Sequence, residues 1–262
     1  MSENTEKNVL KAAWLFPDIL YLYGERGNIS ALTHMADKLD IKLDVERIGL
    51  DTEHFDPMDY DIIFCQPGEI ASFSVVTEYL RPHKEELERF IADGRVLLVT
   101  STSQGIFGRK LVREDGSELE GLGITDCEFK EASMIYADDL YFTTCFADGE
   151  KLEIFGSQIR MMDEFSEDEP FGEILYGYGN NGGDTREGVM KQNSIFTNTT
   201  GPILALNPRL TVKILKLSMQ RRGEEVDPSG IDFSLADKSL EAKKRYVMSK
   251  ATGLTNCPYR RK

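Results

Sequence analysis

Long apolar runs are missing from this sequence. The longest strongly apolar stretch, VLLV at residues 96–99, is far below the roughly 20 residues that cross a bilayer, which excludes a membrane-spanning helix. Histidine is scarce: His34, His54 and His83 are the only three, all in the first third of the chain. The four cysteines (Cys65, Cys127, Cys145, Cys257) have no CxxC spacing and no neighbouring His. Neither a zinc site nor a disulfide framework is therefore indicated, and the reading is of reduced, mostly buried thiols in a cytoplasmic protein. The start, MSENTEK, has no apolar segment behind a basic flank and reads as a frayed tail rather than a signal peptide. Internal repeats and low-complexity blocks are also absent.

Positive charge is in short supply. Lys and Arg number 31 against 45 Asp and Glu, for a formal net charge of −14. The imbalance is uneven: residues 1–218 carry 21 basic against 39 acidic side chains, whereas residues 219–262 carry 10 against 6. An acidic body repels phosphate backbones, so non-specific nucleic-acid binding is excluded. The basic tail holds Arg221, Arg222, Lys243, Lys244, Arg245, Arg260, Arg261 and Lys262. It has either the protein's own acidic surface or a partner to pair with, or is simply a solvated helix face.

What is present suits a folded soluble protein. Of 262 residues, 40% are hydrophobic and 29% charged, with 14 Phe and 10 Tyr, enough apolar material for a sizeable core. The first half alternates strand and helix patterns. Residues 9–16 (VLKAAWLF), 43–48, 61–65 (DIIFC) and 95–100 (RVLLVT) read as strands. The last two are short apolar runs of the kind covered on both faces. Helical spacing runs through Ile29, Leu32, Met35, Ala36 and Leu39, and again over 73–92, where Pro82 starts or kinks the second half. The alternation predicts a three-layer α/β fold with a mostly parallel central sheet. After Gly108, turn signals at Asp115-Gly116, Asp138-Asp139 and Asp148-Gly149 predict antiparallel additions. Helices are expected over 207–220 and 234–249. The resulting division is a flexible tail at 1–12, an α/β body at 13–222 and a basic, partly helical extension at 223–262.

Ligands of open α/β sheets collect at the carboxyl ends of the strands. The segment RVLLVT-STSQGIFG is the most informative of these ends. A buried strand runs into a small-residue turn and a short helix, which lifts Ser101 clear of the sheet in the manner of a nucleophile elbow. A plain strand–helix junction with Ser as cap explains the same spacing.

Four segments carry a specific resemblance: LFPDILYLYGERGNISAL (15–32), CQPGEIASF (65–73), GYGNNGGDTREGV (177–189) and TGPILALNP (200–208). They resemble the glutaminase subunit of lipid II isoglutaminyl synthase, in the cobyric-acid-synthase-like branch of class I glutamine amidotransferases. The resemblance covers about residues 13 to 220. It implies that fold, a Cys–His glutaminase passing ammonia to a Mur-ligase-like synthetase in cell-wall peptidoglycan synthesis, and no cofactor or metal.

The residues at the implied site depart from the family. Its C-G-x-x-Q-x-x-G elbow falls on Ser101 to Gly108, placing Ser101 at the Cys position, Gln104 inside the turn and Gly105 at the Gln position. The G-G-G-Q loop is Gln66, Pro67, Gly68 and Glu69, and Pro67 brings no N–H for an oxyanion. The H-G-P position is Thr200, Gly201 and Pro202. The G-F-E-N-H segment reads Gly156, Ser157, Gln158, Ile159 and Arg160, and no Arg stands between Arg113 and Arg160. Nucleophile, base, oxyanion loop and substrate segment have changed together.

The expectation is a pseudoenzyme: a catalytically degenerate glutamine amidotransferase-like subunit that holds, stabilises or regulates a Mur-ligase-like synthetase, or binds a small ligand in the relict pocket. The alternative is an active hydrolase with Ser101 as nucleophile and His54, placed at the carboxyl edge of the sheet, as base, or an amidotransferase using other residues. The polar, Gly-rich segments GYGNNGGDTREGV and LYGERGN read as recognition loops, not as core.

Overall fold

The computed structural model describes residues 9–253. The expectations for MSENTEK, Cys257, Arg260, Arg261 and Lys262 lie outside the described residues.

The first half winds one sheet from β1 (Val9–Leu15), α1 (Arg26–Lys38), β2 (Lys42–Ile48), β3 (Ile62–Cys65), α2 (Phe73–Leu80), α3 (Lys84–Ala92) and β4 (Val96–Thr100). β1 begins inside the expected tail: Leu10 and Ala12 are buried strand residues, so strand occupies Val9 to Ala12. Every residue of β3 and β4 is buried, as two-sided cover requires. The helical segment over 73–92 is split by a 3-10 turn, Arg81–His83. Pro82 there removes a ladder donor and clashes with the preceding turn.

The chain continues through a short α4 (Gln104–Phe107), β5 (Lys110–Val112), β6 (Glu118–Glu120), β7 (Glu128–Thr144), β8 (Leu152–Phe165), β9 (Gly172–Tyr176), β10 (Arg186–Glu187), β11 (Val189–Lys191), β12 (Ser194–Thr197) and β13 (Thr199–Thr200). It ends in α5 (Ile203–Leu206), α6 (Pro208–Arg221) and α7 (Ser234–Gly253).

The central sheet has the order β11-β12-β4-β3-β1-β2. Its neighbours are parallel except for β11 on β12. Alternate side chains of its strands point to opposite faces. Trp14, Phe64 and Leu98 meet Leu32 and Met35 of α1 and Leu210 and Ile214 of α6 on one face. Leu15, Ile63 and Leu97 meet Val76, Leu87 and Phe90 on the other. Asp61 fastens the amino end of β3: it is 3% exposed, accepts from the Lys11 N–H at 2.9 Å and pairs with Arg221 and Arg222 at the end of α6.

The second sheet runs β10-β9-β7-β5-β6, with β8 on β7 and β13 on β8. Asp115-Gly116 and Asp148-Gly149 lie in the connections between β5 and β6 and between β7 and β8, as read from sequence. Asp138-Asp139 is not a turn. It lies inside the 17-residue β7, where the two carboxylates accept from Lys250 of α7 at 3.5 and 2.9 Å. Val247 and Leu240 of α7 cover Tyr141, Phe155 and Tyr176 of this sheet. Lys244 reaches Glu153 at 2.8 Å and Arg209 reaches Asp237 at 2.8 Å.

Candidate functional site

β4 ends in a sharp elbow. Ser101 has φ 51°, a left-handed conformation that costs a non-glycine residue about 1–3 kcal/mol and persists only where surroundings enforce it. The 3-10 turn Ser101–Ser103 and α4 follow at once, all buried. The elbow expected from the sequence is therefore present, but it is closed. Ser101 is 1% exposed, and its hydroxyl donates to the Ile159 carbonyl at 3.2 Å.

The neighbouring loop after β3 is tied to the elbow and to the loop after β1. Thr102 Oγ1 donates to the Gly68 carbonyl at 2.8 Å and Ser103 Oγ to the Gln66 carbonyl at 2.7 Å. Gln66, where the resemblance expects glycine, accepts from the Trp14 indole N–H at 3.1 Å and donates to the Leu20 carbonyl. The Pro67 carbonyl accepts from the Leu22 N–H at 3.1 Å. At Gly68 an added Cβ would lie 2.2 Å from Leu20 Cδ2, and at Gly105 it would lie 3.0 Å from the Phe73 ring. Phe73 thus fills the space beside the position where the resemblance expects a Gln.

Thr200, at the expected base position, is 1% exposed. β13 pairs with β8 through Thr199↔Gln158 and Thr200↔Ser157, and Thr200 Oγ1 donates to the Ser157 carbonyl at 3.1 Å. The next N–H, of Gly201, donates to Glu25 Oε1 at 2.6 Å, while Asn28 donates to Glu25 Oε2 at 2.5 Å. Burial pushes the Glu25 carboxyl up to about 7.

No imidazole is poised to activate Ser101. His54 is 85% exposed at its side chain and lies 3.9 Å from Asp59, which precedes β3 and so marks the amino end of the sheet. The connection after β2 has travelled back across the sheet, which overturns the placement of His54 at the carboxyl edge. His83 packs on Phe55 and Tyr79, and His34 is on the exposed side of α1.

The segment 157–160 of β8 seals the site. Gln158 is wholly buried and bonds both the N–H and carbonyl of Tyr178 at 3.1 Å. Arg160, 1% exposed, donates to the Met162 and Gly179 carbonyls and lies 4.6 Å from the Tyr136 ring centroid. The cleft at the end of β1, lined by Trp14 and Gln66, includes neither Ser101 nor Thr200.

Beneath this segment is a polar network that sequence reasoning missed. Asn198 donates to Glu164 Oε2 at 3.0 Å and to Asn180 Oδ1 at 2.9 Å, and accepts from Gln104 at 3.1 Å. Glu187 accepts from the Thr197 hydroxyl at 2.8 Å and the Asn198 N–H at 2.7 Å. Burial pushes Glu164 up to about 7 and Glu187 up to about 8. It also lowers Arg160, against the pull of Glu164. Asn180 and Glu187 belong to GYGNNGGDTREGV, and Glu25 and Asn28 to LYGERGN; all four are at most 1% exposed. The expectation that these segments cannot be core is therefore corrected for these side chains: buried polar groups persist where each finds a partner. The signal available in the sequence was Asn and Glu embedded among glycines.

Chemically, the arrangement holds two hydroxyls directed at backbone carbonyls, with no thiol at the elbow. Cys65, the buried thiol at the end of β3, is pushed up to about 12 by burial, so it is not a thiolate.

No protein-family model matches the chain. The chain is 32% identical over 216 residues to the glutamine-hydrolysing lipid II isoglutaminyl synthase subunit GatD of Staphylococcus aureus (strain N315), covering 82% of this chain and 86% of that one. Against the subunit of the same name from Streptococcus pneumoniae (strain ATCC BAA-255 / R6) the identity is 26% over 243 residues, covering 88% and 89%. With the α/β sheet, the elbow after β4 and a similarity of this length, the chain belongs to the family of the lipid II isoglutaminyl synthase subunit GatD.

Proposed function

We propose that this chain is a catalytically degenerate member of its family. It keeps the scaffold of a glutamine-hydrolysing subunit of lipid II amidation but does not hydrolyse glutamine, and it holds or regulates a Mur-ligase-like amide synthetase. The observation that carries this reading is the direction of the two key hydroxyls. Ser101 donates to Ile159 and Thr200 to Ser157, so neither offers the thiolate–imidazole pair that amide transfer of this type needs. The buried Gln158 and Arg160 stand in the relict pocket and argue against a glutamine there. The body is assigned to residues 13–222, extended by strand to Val9, and the basic extension to 223–262.

The decisive experiment is incubation of the purified chain with glutamine and direct ammonia detection, beside affinity capture from the native host. Background ammonia together with stoichiometric co-purification of a synthetase of the Mur-ligase type is the expected result. Turnover that disappears in Ser101→Ala overturns it. That outcome would favour the second reading, a hydrolase built on Ser101, for which the retained φ of 51° at the elbow speaks.

A further inference from the structure

The strand order β2-β1-β3-β4 contains a switch point. The connection from β1 through α1 packs on one face of the sheet, whereas Phe55 and Tyr60, in the connection from β2 to β3, pack on the other. The crevice between β1 and β3, outside their carboxyl ends, is where open α/β sheets bind ligands. A cleft of about 290 Å³ opens there, lined by Trp14, Asp18, Tyr21, Arg26, Arg47 and Gln66 among others. That volume is near the lower end of the ~300–1,000 Å³ typical of small-molecule sites, room for one nucleotide but not two.

The cleft's side chains divide by chemistry. Arg26 has no ion pair among the described residues, and it stands in the first turn of α1, which holds no acidic residue. A cation there is disfavoured by the helix dipole and gains from a bound anion. Arg47 pairs with Asp18 at 2.5 Å, but the two side chains are 54% and 80% exposed, so the pair is weak and easily exchanged. The Arg47 guanidinium also lies 5.6 Å from the Trp14 ring centroid. Tyr21 is 62% exposed at the rim and offers a flat apolar face. Glu25, on the floor, is 1% exposed and already accepts from Gly201 and Asn28.

We propose that this cleft binds a nucleoside phosphate. Arg26 and Arg47 hold the phosphate, two of whose tetrahedral oxygens at a time match the planar guanidinium fork. Asp18, released from Arg47, accepts from a ribose hydroxyl, and Tyr21 covers the base. The site does not depend on the elbow, and the inference stands or falls apart from the chemistry of Ser101.

Trp14 is the chain's single tryptophan and reports directly on the cleft. Its emission is followed while AMP or GMP is added, with inorganic phosphate and adenosine alone as controls and calorimetric titration as a check free of nucleotide absorbance. Saturable binding of either nucleotide with Kd below about 1 mM is expected. Phosphate or adenosine alone should bind at least about tenfold more weakly, a difference of about 1.4 kcal/mol. The double variant Arg26→Ala/Arg47→Ala, and separately Tyr21→Ala, should each weaken nucleotide binding at unchanged circular dichroism and melting temperature. All are surface changes, and two independent variants guard against a local fold defect. Absence of saturable binding by both nucleotides overturns the proposal. So does phosphate binding as tightly as AMP, or undiminished AMP binding by the double arginine variant.

Discussion

The Ser101 hydroxyl donates to the carbonyl of Ile159, 58 residues along the chain, at 3.2 Å. A nucleophile must point its proton at a base and its oxygen at a substrate. Here the proton points into a strand that covers the elbow, and the Thr200 hydroxyl is spent in the same way on the Ser157 carbonyl two residues along that strand. The elbow is covered by the chain's own backbone.

From this closure we expect that Ser101→Cys/Thr200→His does not restore ammonia release. The two changes supply a thiol and an imidazole but leave Gln66 bonded to Trp14 and Leu20, Pro67 without an N–H, and Arg160 in the pocket. Catalytic constellations tolerate little misplacement: about 1 Å costs on the order of 100-fold. Clear glutamine turnover by the double variant, measured by coupled ammonia detection, would show that the remaining loops are competent.

Gly105→Gln, which writes in the residue that the resemblance expects, should destabilise the fold by about 1–3 kcal/mol through overpacking. Its Cβ would sit 3.0 Å from the Phe73 ring in a buried helix. Adding Phe73→Ala should recover part of that loss, beyond what additivity of the two single changes predicts. Urea unfolding of the three variants is the measurement, and strictly additive losses would show that Phe73 does not occupy the space in question.

The buried carboxyls give stability a pH dependence of defined sign. Burial raises Glu164 to about 7 and Glu187 to about 8, and Glu25 to about 7, from the ordinary carboxyl value of 4.5. The folded state therefore holds protons that the unfolded state has released. Their contribution is complete below the unfolded value and is lost as pH rises through the folded ones. Stability should fall between pH 5 and 8, with a limiting slope of about 1.4 kcal/mol per pH unit per group. Glu187→Gln should flatten that slope. Its Oε2 has no hydrogen-bond partner among the described residues, so an amide nitrogen there displaces no bond. A slope unchanged by the substitution, in denaturation midpoints taken across this range, would refute the assignment.

Removal of residues 232–262 should leave the α/β core folded while exposing Tyr141, Phe155 and Tyr176. The milder Lys244→Ala/Lys250→Ala cuts the ion pairs to Glu153, Asp138 and Asp139. It should cost about 1 kcal/mol or less, since such part-exposed pairs are worth little, and the cost should shrink at 1 M salt, where screening is strong. Circular dichroism of the truncated chain, and melts of the double variant at two salt concentrations, test both points. Outright unfolding on truncation would make α7 part of the core.

The elements most legible in the sequence were those whose signal is local. DIIFC and RVLLVT are continuous apolar runs and form the all-buried β3 and β4, and Pro82 breaks its helix where its ring must. The elbow at Ser101 was legible because a buried strand ending in small residues admits few continuations. Asp138-Asp139 misled because two acids commonly mark a turn, whereas the compensating Lys250 is 111 residues away. His54 was misplaced because nothing local says that the connection after β2 crosses back over the sheet. The polar network stayed hidden for the same reason: Glu164 finds Asn198 34 residues on, and Glu25 finds Gly201 176 residues on. Partners this distant leave no periodicity.

Asn180 has a wider consequence. Its amide joins Glu164, Gly188 and Asn198 in the interior, so replacing it would be punished by misfolding whether or not the protein still turns over a substrate. Folding alone is then reason enough for a chain to keep the GYGNN residues, whatever the chemistry at the elbow. On the proposed reading, a search with that segment alone would not separate a silent chain from a working one. On the same reading the positions that would sort the two are 101 and 200, where the hydrogen bonds to Ile159 and Ser157 do not demand a Cys or a His.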